Sequence, residues 1–183
     1  MLRNLISLLL IFIIFIIQTT FHTTISIGGI SPNLLLIFVC CSGFIRGKKH
    51  GMYMGFLSGI LLDIFYGYSG VIGMNGILFM YLGYINGLFN EIFYTDDICI
   101  PVLLTMASDL AYNFLYYCVT FLLRGYLDIA NYFKFIIFPE VIYTAFVAVF
   151  IFRLLKVISI KLDKFEKRGR SEERRVGKEC RSR

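Results

Sequence analysis

The sequence predicts an all-α, polytopic membrane protein, with about six transmembrane helices in one compact bundle. Three observations carry this. Of 183 residues 58% are hydrophobic and only 16% charged, well short of the roughly 25% charged residues of an ordinary soluble domain. Residues 4–45 hold no Asp, Glu, Lys or Arg at all, and a spanning helix needs only about 20 apolar residues. The remaining apolar runs are separated by short turns that carry glycine or charge. This composition excludes a soluble enzyme, a nucleic-acid-binding module and a disordered chain.

Each element follows from its breakers. Gly28, Gly29, Ser31 and Pro32 divide the uncharged stretch, which predicts helices at about 4–21 and 32–45. Met1 and Arg3 before Leu5–Ile17 resemble a signal peptide, but Gln18, Thr19, Thr20 and Phe21 supply no small-x-small cleavage site, so the first helix is read as uncleaved. Arg46, Lys48, Lys49 and His50 form a basic loop before a helix at about 51–66. The turn Gly67-Tyr68-Ser69-Gly70 leads to a helix at about 71–89. Glu91, Asp96 and Asp97 make an acidic loop, and Thr95, Asp96 and Asp97 suit the positive end of a helix at about 98–123. Pro101 falls in that helix's first turn, where its missing N–H costs nothing. Residues 124–132 form the last loop and 133–155 the last helix. The second and third helices are short for a full span, which leaves tilted or partly re-entrant elements open.

Charge gives the orientation. Residues 1–152 carry six basic and seven acidic residues, residues 153–183 twelve and five. Lys and Arg in short loops favour the cytoplasm, and Arg3, the Arg46–Lys49 loop and the tail share one side of a six-helix arrangement. Both termini are therefore predicted cytoplasmic, with residues 1–160 as a single bundle domain and 161–168 as a basic tail near anionic lipid. Residues 169–183 have no apolar period and resemble translated vector sequence, so they are read as a non-native or disordered tail.

The sharpest pattern lies in the third helix. Gly51, Gly55 and Gly59 recur every four residues, and Asp63 continues the column; Gly76, Gly83 and Gly87 make a shorter version in the fourth. Small residues in a row allow close backbone approach, either to a helix of the same chain or to a partner's transmembrane helix. Three carboxylates fall at membrane depth: Asp63, Asp109 and Glu140. Asn75, Asn86, Asn113 and Gln18 add amides, and Thr105, Tyr112, Tyr116 and Thr120 extend a polar stripe around Asp109. An isolated charge at mid-bilayer costs at least about 2.5 kcal/mol, and no Lys or Arg is predicted nearby. These groups either hydrogen-bond between helices in neutral form, or form a polar pocket or meet a partner's cation.

Catalytic motifs are wanting. Gly67-Tyr68-Ser69-Gly70 matches a GxSG string, but the only histidines, His22 and His50, fall in loops on opposite sides, so Ser69 is read as a turn residue. Neither GxGD, HExxH nor a phosphate-binding loop occurs. Cys40, Cys41, Cys99, Cys118 and Cys180 show no CxxC spacing, which gives no metal site and no disulfide framework. No enzymatic activity and no cofactor are expected.

In order, the chain shows an uncharged first helix, Ser31-Pro32-Asn33 opening the second, the basic loop Arg46-Gly47-Lys48-Lys49-His50, the run from Gly51 to Asp63, then Gly73-Met74-Asn75-Gly76 and a late Pro139-Glu140. Over roughly residues 1–160 this resembles MreD, the rod-shape-determining inner-membrane protein family, although Asn33 stands where family members often carry Asp. The resemblance implies a non-enzymatic scaffold of the bacterial cell-elongation machinery, active in peptidoglycan synthesis. It implies an MreC transmembrane helix, the MreB filament, RodA and a penicillin-binding transpeptidase as partners, with membrane lipids around it and no nucleic acid. Under it, the glycine face of the third helix is a candidate surface for MreC, and Arg46, Lys48 and Lys49 a candidate contact for filament or lipid. The alternative is a vitamin-binding subunit of an energy-coupling-factor transporter, a small six-helix fold that MreD resembles; Asp109, Asn113, Glu140 and the tyrosines would then line a ligand pocket. The lack of Trp and the short outer loops speak against it.

Overall fold

The computed structural model describes residues 2–25, 32–66, 73–93, 98–124 and 137–181. Among them are six helices and no strand: α1 (Leu2–Ile25), α2 (Leu34–Arg46), α3 (Lys48–Tyr66), α4 (Met74–Ile92), α5 (Cys99–Arg124) and α6 (Phe138–Arg181). The Gly28–Ser31 breakers, the Gly67–Gly70 turn, the loop residues 94–97, the loop 125–132 and the predicted helix start at 133–136 lie outside the described residues.

The second helix is the centre of the molecule. It is apolar on every side, so burial on every side is its stable environment; residues 35–44 are all buried and α2 touches each of the other five helices. Its 13 residues span about 20 Å at 1.5 Å per residue. Helices rather than lipid surround it, so its length need not match the bilayer. Its first turn is capped twice. The Asn33 side chain accepts from the Leu36 N–H at 3.2 Å, and Gln18 of α1 accepts from the Leu35 N–H at 3.0 Å. At its other end the Arg46 guanidinium donates to the Ser7 hydroxyl of α1. α1 and α2 are therefore an antiparallel pair joined at both ends. Gln18→Leu is expected to cost about 1–2 kcal/mol by stranding the Leu35 N–H, measurable as a lowered unfolding midpoint in detergent.

The predicted basic loop is corrected to a single residue, Gly47, at φ +89°. That conformation favours glycine, and it lets the chain reverse with the Gly47 N–H donating to the Gly43 carbonyl at 2.7 Å. Arg46 closes α2, and Lys48, Lys49 and His50 form the first turn of α3. The third helix is thereby 19 residues long, about 28 Å, and not short. The sixth is corrected too. Pro139 is its second residue, as a proline should be, but the helix runs on to Arg181 instead of ending near Leu155. Residues 156–181 contain no proline and are rich in Lys, Arg and Glu, all good helix formers. Residues 161–168, read as a basic tail, and 169–181, read as a non-native or disordered one, are helical backbone.

Polar side chains are buried alongside the apolar core, and many large apolar ones face outward. Ser7, Ser42, Ser58, Asp63, Asn86, Thr105, Ser108, Asp109, Asn113 and Thr144 are buried, whereas Leu5, Leu9, Phe12, Leu103, Phe114, Phe146, Phe150 and Leu154 are exposed. In water such an apolar exterior would drive aggregation; in hydrocarbon it is the solvated side. By length and composition, Cys99–Val119 and Phe138–Leu162 are long and apolar enough to cross a membrane, and Asn4–Thr20 and Leu34–Arg46 are shorter apolar segments.

Candidate functional site

The glycine columns of α3 and α4 face each other in antiparallel register. A Cβ added at Gly51 would meet the Gly83 carbonyl, one at Gly55 the Phe79 carbonyl, and one at Gly59 the Asn75 carbonyl. Gly87 lies over the backbone of Lys48, and a Cβ at Gly76 would stand 3.2 Å from the Ile60 side chain. All six glycines singled out in the sequence sit in this one contact. Gly43 of α2, which the sequence reading missed, joins it: a Cβ there would come within 2.7 Å of the Gly83 carbonyl and 3.4 Å of the Gly51 Cα. The signal existed, since Gly43 sits eight residues before Gly51. The expectation of a partner helix on the α3 glycine face is corrected, because α4 fills that face.

Asp63 continues the column into a capping site. Its Oδ2 accepts from the Gly73 N–H at 3.1 Å and the Gly76 N–H at 3.2 Å, and its Oδ1 accepts from the Asn75 amide at 2.9 Å. Gly73, at φ +97°, has no side chain with which to cap α4; a carboxylate from the preceding helix does it instead. The Tyr112 hydroxyl of α5 donates to Asn75 Oδ1 at 2.9 Å, and its ring meets Phe79 edge-on at 5.3 Å. Asp63, Asn75 and Tyr112 thus tie α3, α4 and α5 together at one end.

A second polar group lies deeper. Asn86 of α4 donates to its own Leu82 carbonyl at 2.8 Å and to Ser108 of α5 at 2.7 Å, with the Cys40 sulfur of α2 at 3.4 Å. Thr105 donates to the Pro101 carbonyl at 2.7 Å, 3.9 Å from the Cys41 sulfur. One turn on, Asp109 is wholly buried beside Thr144 of α6, and Glu140 lies beside Asn113. Thr144 was not singled out by the sequence, being one hydroxyl in an apolar run. The side chain of Thr120 lies outside the described residues.

The basic residues collect at the opposite end from Asp63. Arg46 approaches His50 Nε2 at 3.2 Å, Asn90 of α4 donates to the Phe44 carbonyl, and Ser7, Leu10, Ile45, Arg46 and Leu155 line a small cleft between α1, α2 and α6. Lys49 is exposed. Among the described residues, no group of three or more His, Cys, Asp or Glu side chains could hold a metal ion.

No curated protein and no solved structure matches the chain. A family model described as rod shape-determining protein MreD matches residues 1–159, which takes in α1 to α5, α6 as far as residue 159, and both polar sites. The chain therefore belongs to the MreD family, membrane-associated structural proteins of rod-shape determination and not a known enzyme family.

Proposed function

We propose that the protein is a non-enzymatic, six-span scaffold of the cytoplasmic membrane with both termini in the cytoplasm. Its helices hold MreC, the MreB filament, RodA and a penicillin-binding transpeptidase in one cell-elongation assembly. The observation that carries this reading is the family match over a helical body whose exterior exposes many large apolar side chains while polar groups such as Asn86 and Asp63 are buried between helices. The glycine columns are occupied within the chain, so partner helices would meet outward apolar faces such as that of α1, where Leu5, Leu8, Leu9, Phe12 and Ile16 are exposed. The clustering of Arg46, Lys48 and Lys49 at one end fits a cytoplasmic face.

The test is co-purification with MreC from detergent-solubilised membranes, with cell shape as the second readout. Wild-type protein is expected to retain MreC, and its deletion to round the cells. Normal rods after deletion, together with no recovery of MreC, would refute the scaffold reading. If the purified chain instead bound a vitamin stoichiometrically, the transporter-subunit alternative would take its place.

A further inference from the structure

We propose that the cleft between α1, α2 and α6 holds the phosphate headgroup of an anionic phospholipid, clamped by Arg46 and Ser7. The cleft is walled by Ser7 and Leu10 of α1, by Phe38, Ser42 and Arg46 of α2, and by Leu155 of α6. Counted out to its open mouth, it leaves about 240 Å³ of empty space, and its base has room for about one water-sized group. A phosphate oxygen fits that base; a whole vitamin-sized molecule does not.

The notch exists because α2 is short. It stops at Arg46, whereas α1 continues five residues past Ser7, to Leu2, and α6 runs on from Leu155 to Arg181. At 1.5 Å per residue the α1 wall stands about 7–8 Å above Ser7. The polar headgroup layer on each side of a bilayer is about 5–8 Å deep. A guanidinium recessed by that much between two helices lies at the depth of the lipid phosphates, and an acidic protein surface would have to enter the headgroup layer to reach it.

The donors suit a phosphate. The half-buried Arg46 donates to the Ser7 hydroxyl and approaches His50 Nε2 at 3.2 Å. Neither neighbour is a carboxylate, and no carboxylate lines the cleft. Glu140 precedes Leu155 by fifteen residues of α6, about 22 Å along the helix. Ser42 donates to the Val39 carbonyl of its own helix at 3.1 Å, so Arg46 and Ser7 are the donors the ligand meets. A planar guanidinium matches two phosphate oxygens at once. Lys49 and Arg153 are exposed at the same end, and this positive charge disfavours a zwitterionic lipid, which brings its own cation. Basic pockets between transmembrane helices are recurrent headgroup sites. Leu9 and Leu154, next in the chain to Leu10 and Leu155, are exposed and give acyl chains an apolar surface.

The experiment is thermal unfolding of the purified full chain in a mild detergent, titrated with phosphatidylglycerol, phosphatidylcholine or inorganic phosphate. Binding to the folded state alone raises the midpoint saturably. Phosphatidylglycerol is expected to raise it by about 5 °C over phosphatidylcholine at saturation. Arg46→Lys, which keeps the charge and loses the fork, should raise the half-saturating lipid concentration about tenfold. Ser7→Ala should raise it about threefold, and it decides the matter if the Arg46 variant does not fold. Lys161→Gln, an exposed charge further along α6, should leave it unchanged. Equal midpoints in the two lipids would overturn the proposal and leave the basic end to a protein partner. A shift reproduced by inorganic phosphate would assign the cleft to a free anion and refute the lipid. An unchanged response in folded Arg46→Lys or in Ser7→Ala, or a loss in Lys161→Gln as large as theirs, would refute the cleft in favour of diffuse surface charge. None of these outcomes depends on MreC binding, so the scaffold reading stands or falls separately.

Discussion

Gly59→Ala in α3 is expected to destabilise the fold by about 3 kcal/mol or more, the range reached when a buried atom has nowhere to go. The added methyl would meet the Asn75 carbonyl and come within 2.5 Å of the Gly76 Cα and 2.6 Å of the Asn75 carbonyl carbon. All of these are backbone atoms, so no rotamer change relieves the clash; α3 and α4 must separate. Separation also lengthens the Asp63 bonds to Gly73 and Gly76 one turn away. Gly55→Ala should behave alike, since its methyl would meet the Phe79 carbonyl and stand 3.1 Å from the Met80 Cα. Urea unfolding in a mild detergent, followed by circular dichroism, measures both. A loss below about 1 kcal/mol, the ordinary effect of a point substitution, would show that the two helices are not in this register. Leucine at either position should prevent folding outright. Loss of MreC from such a variant would therefore report on the missing α3–α4 pair and not on a docking face.

Asp63→Ala is expected to cost about 3 kcal/mol, because it strands two backbone donors, Gly73 N–H and Gly76 N–H, at an unsatisfied-donor penalty of about 1–3 kcal/mol each. The Asn75 amide loses its acceptor as well. Within a bilayer no water replaces these partners freely. Asp63→Asn keeps one carbonyl acceptor and should lose about half as much. Tyr112→Phe removes only the outer bond to Asn75 and should cost about 1 kcal/mol. The order Ala, then Asn, then the Tyr112 variant is the signature, read from unfolding midpoints in one detergent. If Asp63→Ala were no worse than Tyr112→Phe, the carboxylate would not be the cap of α4.

The two sites differ in how far they could be read from sequence. Spacing alone puts Gly51, Gly55, Gly59 and Asp63 in one column, because a four-residue repeat is a property of a single helix. Spacing says nothing about the neighbour. Whether a column without side chains faces its own chain or another chain is not written in its spacing; both readings were open, and the contact with α4 is the one the structure shows. Asp63 was likewise visible as an acid at depth but not as a cap, since its acceptors' partners lie ten to thirteen residues on, beyond a turn. Asn33 is the opposite case: an Asn just before an apolar run is a helix cap by local rules, so the start at residue 32 expected for this helix moves to Leu34, with Asn33 as its cap.

The sequence by itself determined what concerns one segment at a time: helices instead of strands, an exterior meant for hydrocarbon, the place of Pro101 in the first turn of α5, and the small-residue faces. Only the tertiary structure decided that α2 is the shielded axis, that one glycine, Gly47, suffices to reverse the chain, and that Thr144 faces Asp109. Periodicity and capping act over about one helical turn and are written in neighbouring residues. Which face meets which is set by the simultaneous packing of all six helices, and that information is distributed over positions a hundred residues apart.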